Sequence, residues 1–317
     1  IPKLRAWKFQ EKINEDVPER HRSKAGTPTM GGGIVLISVI ISTILWADLS
    51  NMYILLALGA TLWMGIIGFF DDYRKMLHPQ AKGLMAKHKF FSQFVLGLLI
   101  GLALYFFSPA GELRTVTEVP FFKNYIINLN LFYIIFVPFV ISASSNAINL
   151  TDGLDGLAIG LVAITSAVFM IVAYISGRID FSEYLHILYL PQSGELAIFC
   201  AAICGAALGF LWFNTHPAQI FMGDTGSLAM GTALGIVAIL VKKEFLLLVA
   251  GGVFVMETLS VIIQVSSYKI RKKRVFRMAP IHHHFELSGW PEEKIVVRFW
   301  ILGIICALFA LGLLKVR

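Results

Sequence analysis

Charge is scarce in this chain: only 15% of its 317 residues are Asp, Glu, Lys or Arg, and 57% are apolar. A soluble domain carries about 25% charged and about 45–50% apolar residues, so an ordinary water-soluble globule is excluded. Disorder is excluded as well, because 25 Phe, 9 Tyr and 6 Trp would not stay solvated along an unstructured chain. Cysteine is nearly absent. Cys200, Cys204 and Cys306 all lie in apolar runs, and the i, i+4 spacing of the first two packs small hydrophobes and makes poor disulfide geometry. No GxxxxGKS/T loop occurs, which excludes a P-loop nucleotidase. The alternating pattern of an outer-membrane barrel is missing, and no short apolar run ends in the small-residue cleavage site of a secretory signal peptide. No repeat of fixed period and no low-complexity linker divides the chain, so residues 1–317 read as a single integral membrane domain.

Long apolar runs are what the sequence does have. A membrane-spanning helix needs about 20 mostly apolar residues, since the hydrocarbon core is about 30 Å thick and each residue rises about 1.5 Å. Nine candidates follow, at about 31–48, 52–70, 90–107, 129–145, 157–175, 195–213, 227–241, 245–265 and 296–314. The seventh is the shortest. The expected fold class is therefore all-α, a polytopic helical membrane protein. Basic residues set its orientation. Seven lie in residues 1–30, five in 71–89 and seven in 266–295, so one face carries nineteen of the 27. That face is expected to be cytoplasmic, and the asymmetry explains the net charge of +7 without a nucleic-acid partner.

The remaining acids and the histidines converge on this same face. Asp71 and Asp72 end the second span in GFFDDYRK. Asp152 and Asp155 sit in SNAINLTDGLDGLA, Asp224 in FNTHPAQIFMGDTGS, and His282, His283 and His284 in MAPIHHHFELSGW. Each has a plainer reading. The Asp71–Asp72 pair can be solvated punctuation, Asp152 or Asp155 can cap the fifth span, and Asp224 can cap the seventh. Four such clusters at one depth are harder to explain by packing, because ionisable groups at the hydrocarbon edge are costly and usually functional. Glu257, the one acid within a span, lies on a helical stripe with Ser260 and Gln264 and suits interhelical hydrogen bonding. The histidine run lacks zinc-site spacing and fits hydrogen bonding to phosphate oxygens better. Hard oxygen donors suited to Mg²⁺, with lysines and histidines nearby, point to phosphoryl transfer. A transporter is the alternative of a different class, but its acids are expected near the midplane on broken helices.

Taken together, KAGTPTMGG, GFFDDYRK, NAINLTDGLDGLA, FNTHPAQIFMGDTGS, ETLSVIIQV and MAPIHHHFELSGW resemble the polyprenyl-phosphate N-acetylhexosamine-1-phosphate transferase superfamily. The form of the histidine motif favours its phospho-N-acetylmuramoyl-pentapeptide transferase branch over the N-acetylglucosamine-1-phosphate relatives. The resemblance implies transfer of a phospho-sugar from UDP-MurNAc-pentapeptide to undecaprenyl phosphate with Mg²⁺, giving lipid I and UMP at the bacterial cytoplasmic membrane. Residue by residue, it implies that Asp224 binds the metal. It makes Asp71 base or nucleophile with Asp72 beside it, and it adds His282 and His283 to the catalytic set. Asn149, Asp152, Gly153, Leu154, Asp155, Asn214 and Phe221 would form the nucleoside side, with Phe221 stacking on uracil. Lys24, Thr29, Lys75, Lys87, Gln264 and His284 would line the phosphate and sugar region, Lys89 replacing Lys87 if the loop alignment shifts by two. A homodimer is a further expectation from the family. Its members have ten spans, so an N-terminal truncation of this chain is also expected.

Overall fold

A computed structural model describes residues 26–77, 83–122 and 126–316. The chain opens with α1 (Gly32–Trp46), α2 (Met52–Leu77) and α3 (Ala86–Phe107). A short hairpin follows, β1 (Val116–Glu118) antiparallel to β2 (Ile126–Asn128), with Thr117 opposite Ile127. Then come α4 (Tyr133–Thr151), α5 (Leu157–Ser176), the short α6 (Ile179–Leu185), α7 (Leu196–Asn214) and α8 (Gly223–Leu240). The chain closes with the short α9 (Glu244–Ala250), α10 (Gly252–Arg271), the short α11 (Ile281–Glu286) and α12 (Glu292–Val316). Among the described residues, eight helices are long and apolar enough to cross a bilayer. The protein is a polytopic all-α membrane protein.

The helices follow the apolar runs but not their ends. The short one is α1, at 15 residues, while the expected weak seventh span becomes an 18-residue helix. Its first turn, Gly223–Ser227, is polar and carries no apolar signal, yet it is helical. Helix α2 likewise continues through Asp71 and Asp72 to Leu77, so the acids ride on a helix instead of following one. The expected span at 245–265 is broken at Gly251, and its second half runs on to Arg271.

Helix α8 is the hub, with 89% of its apolar window buried inside the protein. It packs most extensively on α2 and α4. Gly68 makes the α2 contact possible: a Cβ there would lie 2.3 Å from the carbonyl oxygen of Asp224. Two layers of polar groups hold the opposite ends of this bundle. At the hairpin end, Lys242 and Lys243, in the turn between α8 and α9, are buried. Lys243 pairs with Glu118, and Lys242 Nζ donates to the Arg114 carbonyl at 2.7 Å and to Tyr133 Oη at 2.9 Å. Glu244 accepts from Thr117 Oγ1 at 2.6 Å and from Tyr133 Oη at 2.9 Å. At the other end, the C-termini of α2 and α4 meet the N-termini of α3 and α8, and there the remaining carboxylates gather.

Candidate active site

Three carboxylates and two ammonium groups form the centre of that end. Lys75 lies one helical turn after Asp71, so both face the same way; its Nζ is 2.6 Å from Asp71 Oδ2 and 3.2 Å from Asp224 Oδ2. Lys89, in the first turn of α3, reaches Asp71 Oδ1 at 3.1 Å and also pairs with Asp224. The backbone N–H of Leu84 donates to Asp71 Oδ1 at 2.6 Å. From α4, Asn149 Nδ2 donates to Asp224 Oδ1 at 3.0 Å and to Ser227 Oγ at 2.8 Å. Asp71 is fully buried, Asp224 keeps 15% of its side chain exposed and Lys75 keeps 45%. The cluster therefore opens to one side, and the first turn of α8 adds its partial positive charge to the stabilisation of Asp224.

Lys89, not Lys87, meets the carboxylates. Both stand in the first turn of α3, two residues and therefore about 200° apart around the helix, and Lys87 is exposed on the other side. Asp72 is also turned away from the opening: both of its oxygens accept hydrogen bonds from the start of α8. Asp71, Asp72 and Asp224 each offer an oxygen within 4.8 Å of the other two. This all-oxygen donor set fits a hard divalent cation such as Mg²⁺, which would compete with the two ammonium groups for the same carboxylates.

The turn after α4 and the segment before α8 form a second group beside the first. Asn214 Oδ1 accepts from Gly156 N at 3.1 Å, and its Nδ2 donates to the Ile220 carbonyl at 2.8 Å. Asp155 does not cap α5, whose N-cap is Gly156 at φ +77. Its Oδ2 instead accepts from Ala218 N at 3.0 Å and lies 3.0 Å from His216 Nδ1. Glu292, from the start of α12, accepts from Asp155 N at 2.8 Å. Leu154 is buried and Asp152 half-buried in this turn. Phe221 bonds through its backbone to Pro28 and Gly31, which brings Thr29 alongside Gly223. Sequence reasoning missed His216, Thr225 and Ser227, which stand inside the FNTHPAQIFMGDTGS motif but were given no role, and Glu292, which stands in no motif.

The histidines are placed unequally. His282 is fully buried, with Nδ1 3.1 Å from Glu257 Oε1. Its other edge lies against Gly153, where a Cβ would stand 2.3 Å from Nε2. It therefore ties α10 to the turn after α4 and offers no surface to a ligand. His283 Nδ1 is 2.7 Å from Glu286, an arrangement that orients the ring. His284 Nδ1 accepts from Arg277 N at 3.2 Å. Gln264 is fully engaged by its own loop: Nε2 donates to the Phe276 carbonyl, while Oε1 accepts from Val275 N and Phe276 N. Lys24 lies outside the described residues. An apolar groove of about 930 Å³ between α1 and α7, lined by residues such as Ser38, Gly205 and Phe213, holds no titratable group and is no candidate for chemistry.

A membrane helix bundle with carboxylates and lysines drawn together at one end defines the class: a polytopic protein with a site suited to phosphoryl chemistry. Residues 54–242 match the model of glycosyl transferase family 4, and the chain belongs to that family. It is thus a membrane phosphoglycosyl transferase, moving a phosphosugar from a nucleotide sugar to a polyprenyl phosphate. The matched stretch contains Asp71, Asp72, Asn149, Asp155 and Asp224.

Proposed function

We propose that the transferred group is phospho-MurNAc-pentapeptide, taken from UDP-MurNAc-pentapeptide and passed to undecaprenyl phosphate to give lipid I and UMP in bacterial peptidoglycan synthesis. The observation that carries the chemistry is the pair of lysines, Lys75 and Lys89, that each reach both Asp71 and Asp224. Preorganised cations of this kind stabilise charge on a transferring phosphoryl group. The choice of donor is supported by the histidine motif MAPIHHHFELSGW. Nineteen of 27 basic residues on the site's face support an opening to the cytoplasm of the bacterial inner membrane.

Mg²⁺, held by Asp224 with Asp71 close by, would supply polarisation of the phosphoryl oxygens when bound. Lys75 and Lys89 hold phosphate oxygens, and Asp71 accepts the proton that the lipid phosphate gives up. An oxygen of that phosphate forms the new bond to the sugar-bearing phosphorus as the bond to the UMP oxygen breaks. Phe221 stacks on the uracil, framed by the 152–155 turn and Asn214. His283, oriented by Glu286, donates from Nε2 to a phosphate oxygen. The protein works as a homodimer in a lipid bilayer.

UMP release by the detergent-solubilised protein tests this, with undecaprenyl phosphate and Mg²⁺ present. Release from UDP-MurNAc-pentapeptide and not from UDP-GlcNAc is the expected result. Release from UDP-GlcNAc alone would keep the chemistry and move the chain to the sister branch.

A further inference from the structure

We propose that Asp72 is a positioning residue, which holds the helix carrying Asp224 in place and leaves contact with the reacting groups to Asp71 and Asp224. Neighbouring residues on a helix point about 100° apart, so although one oxygen of each lies within 4.8 Å of the other, Asp71 and Asp72 turn to different partners. Asp72 shares its face with Gly68, one turn earlier, where the backbones of α2 and α8 touch. From there its carboxylate meets the start of α8. Oδ1 accepts from Asp224 N at 3.1 Å, and Oδ2 accepts from Thr225 N at 2.9 Å and Thr225 Oγ1 at 2.6 Å. The first N–H groups of a helix have no partner within it, and the residue at the N-cap of α8, Met222, supplies no side-chain bond. Asp72, some 150 residues away in the chain, supplies it instead, as a charge-assisted cap.

The lysines separate the acids. Asp71 and Asp224 each meet both Lys75 and Lys89, whereas Lys75 Nζ comes only to 4.0 Å from Asp72 Oδ1. One of the three cap bonds comes from the backbone of Asp224 itself, so a shift of Asp72 moves the Asp224 carboxylate directly. The inference rests on the transferase reading for its activity readout, and its test therefore includes a binding readout that needs no turnover.

The informative variant is Thr225→Val, which removes a donor to Asp72 and leaves every carboxylate and lysine in place. Mn²⁺ serves as the probe, titrated by electron paramagnetic resonance into the full-length purified protein. Thr225→Val is expected to weaken Mn²⁺ binding by about ten- to a hundredfold, the effect of one hydrogen bond to a charged group. The Mg²⁺ concentration for half-maximal UMP release is expected to rise by the same factor, with kcat at saturating Mg²⁺ within about twofold of wild type. Thr225→Ser, which keeps the hydroxyl, is expected to match wild type. Asp72→Asn should weaken Mn²⁺ binding further, and adding Thr225→Val to Asp72→Ala, which leaves no acceptor, should change nothing, because the hydroxyl acts through the carboxylate.

Wild-type Mn²⁺ binding in Thr225→Val beside a loss in Asp72→Asn would overturn the proposal, since Asp72 would then act on the ion directly. Independent, additive effects in the double variant would overturn it too, as would a wild-type protein that binds no Mn²⁺. A wild-type protein that binds Mn²⁺ but releases no UMP from any nucleotide sugar would sink the transferase reading, and the Mn²⁺ series would still decide the role of Asp72.

Discussion

Asn149 Nδ2 lies 3.0 Å from Asp224 Oδ1, a hydrogen bond that joins the C-terminal end of α4 to the first turn of α8. It fixes the rotamer of the acid that faces both lysines, and it links the phosphate cluster to the turn on which Asp152 and Asp155 stand. Asn149→Ala is expected to lower UMP release about tenfold, the loss of one hydrogen bond to a charged group at a site of developing charge. Asn149→Asp places a like charge against Asp224 and is expected to cost more. Steady-state rates for the two purified variants check the order.

The histidines separate by readout. His282 is sealed between Glu257 and Gly153, so His282→Ala leaves a buried acid without its partner. A cost of about 3 kcal/mol is expected, seen as a clear fall in the thermal unfolding midpoint. His283→Ala also leaves a largely buried acid, Glu286, without its partner, so some fall in midpoint is expected there too, but its folded protein is expected to lose about a hundredfold in kcat, the scale of a single positioned donor or acid, which folded His282→Ala is not. Reversal of the two phenotypes would assign the phosphate contact to His282.

Lys242 gives a pH signature at the far end of the bundle. Burial pushes its ammonium down from 10.5 to about 8, against the opposing pull of Glu244. Between those two values the unfolded chain binds the proton that the folded chain has released, so stability gains as pH rises through this window. Below about pH 8 both states are protonated and the contribution is flat. The difference in unfolding midpoint between wild type and Lys242→Met, measured from pH 7 to 10.5, is expected to move in favour of wild type as pH rises. A difference that does not change with pH would mean that Lys242 titrates at its ordinary value.

The bundle was legible because about 20 apolar residues in a row admit few structures in lipid. Helix ends were not. Asp71 to Leu77 and Gly223 to Ser227 stay helical after hydropathy has fallen, because backbone hydrogen bonding and the Asp72 cap continue where the apolar signal stops. The motif acids were visible, but their division of labour was not. The turn at 152–155 reads as a cap for α5, and only the folded chain shows Asp155 turned toward His216 and Ala218. Gln264 stands at the site's end of α10, and nothing local shows that its amide is committed to residues 275 and 276. Lys87 and Lys89 are chemically alike, and the two-residue choice between them depends on where α3 begins and which side it turns to α2.

That last choice gives the most direct test of the claim that the Asp71–Lys75–Lys89–Asp224 cluster carries the transfer. UMP release would be compared for wild type, Lys87→Met and Lys89→Met, each shown to unfold at the wild-type midpoint. Lys89→Met is expected to lose about a hundredfold or more in kcat, the magnitude of one electrostatic donor to a transition-state charge, with Lys87→Met within about threefold of wild type. A dead Lys87→Met beside an active Lys89→Met would contradict the account, because the transfer would then take place around the other face of α3.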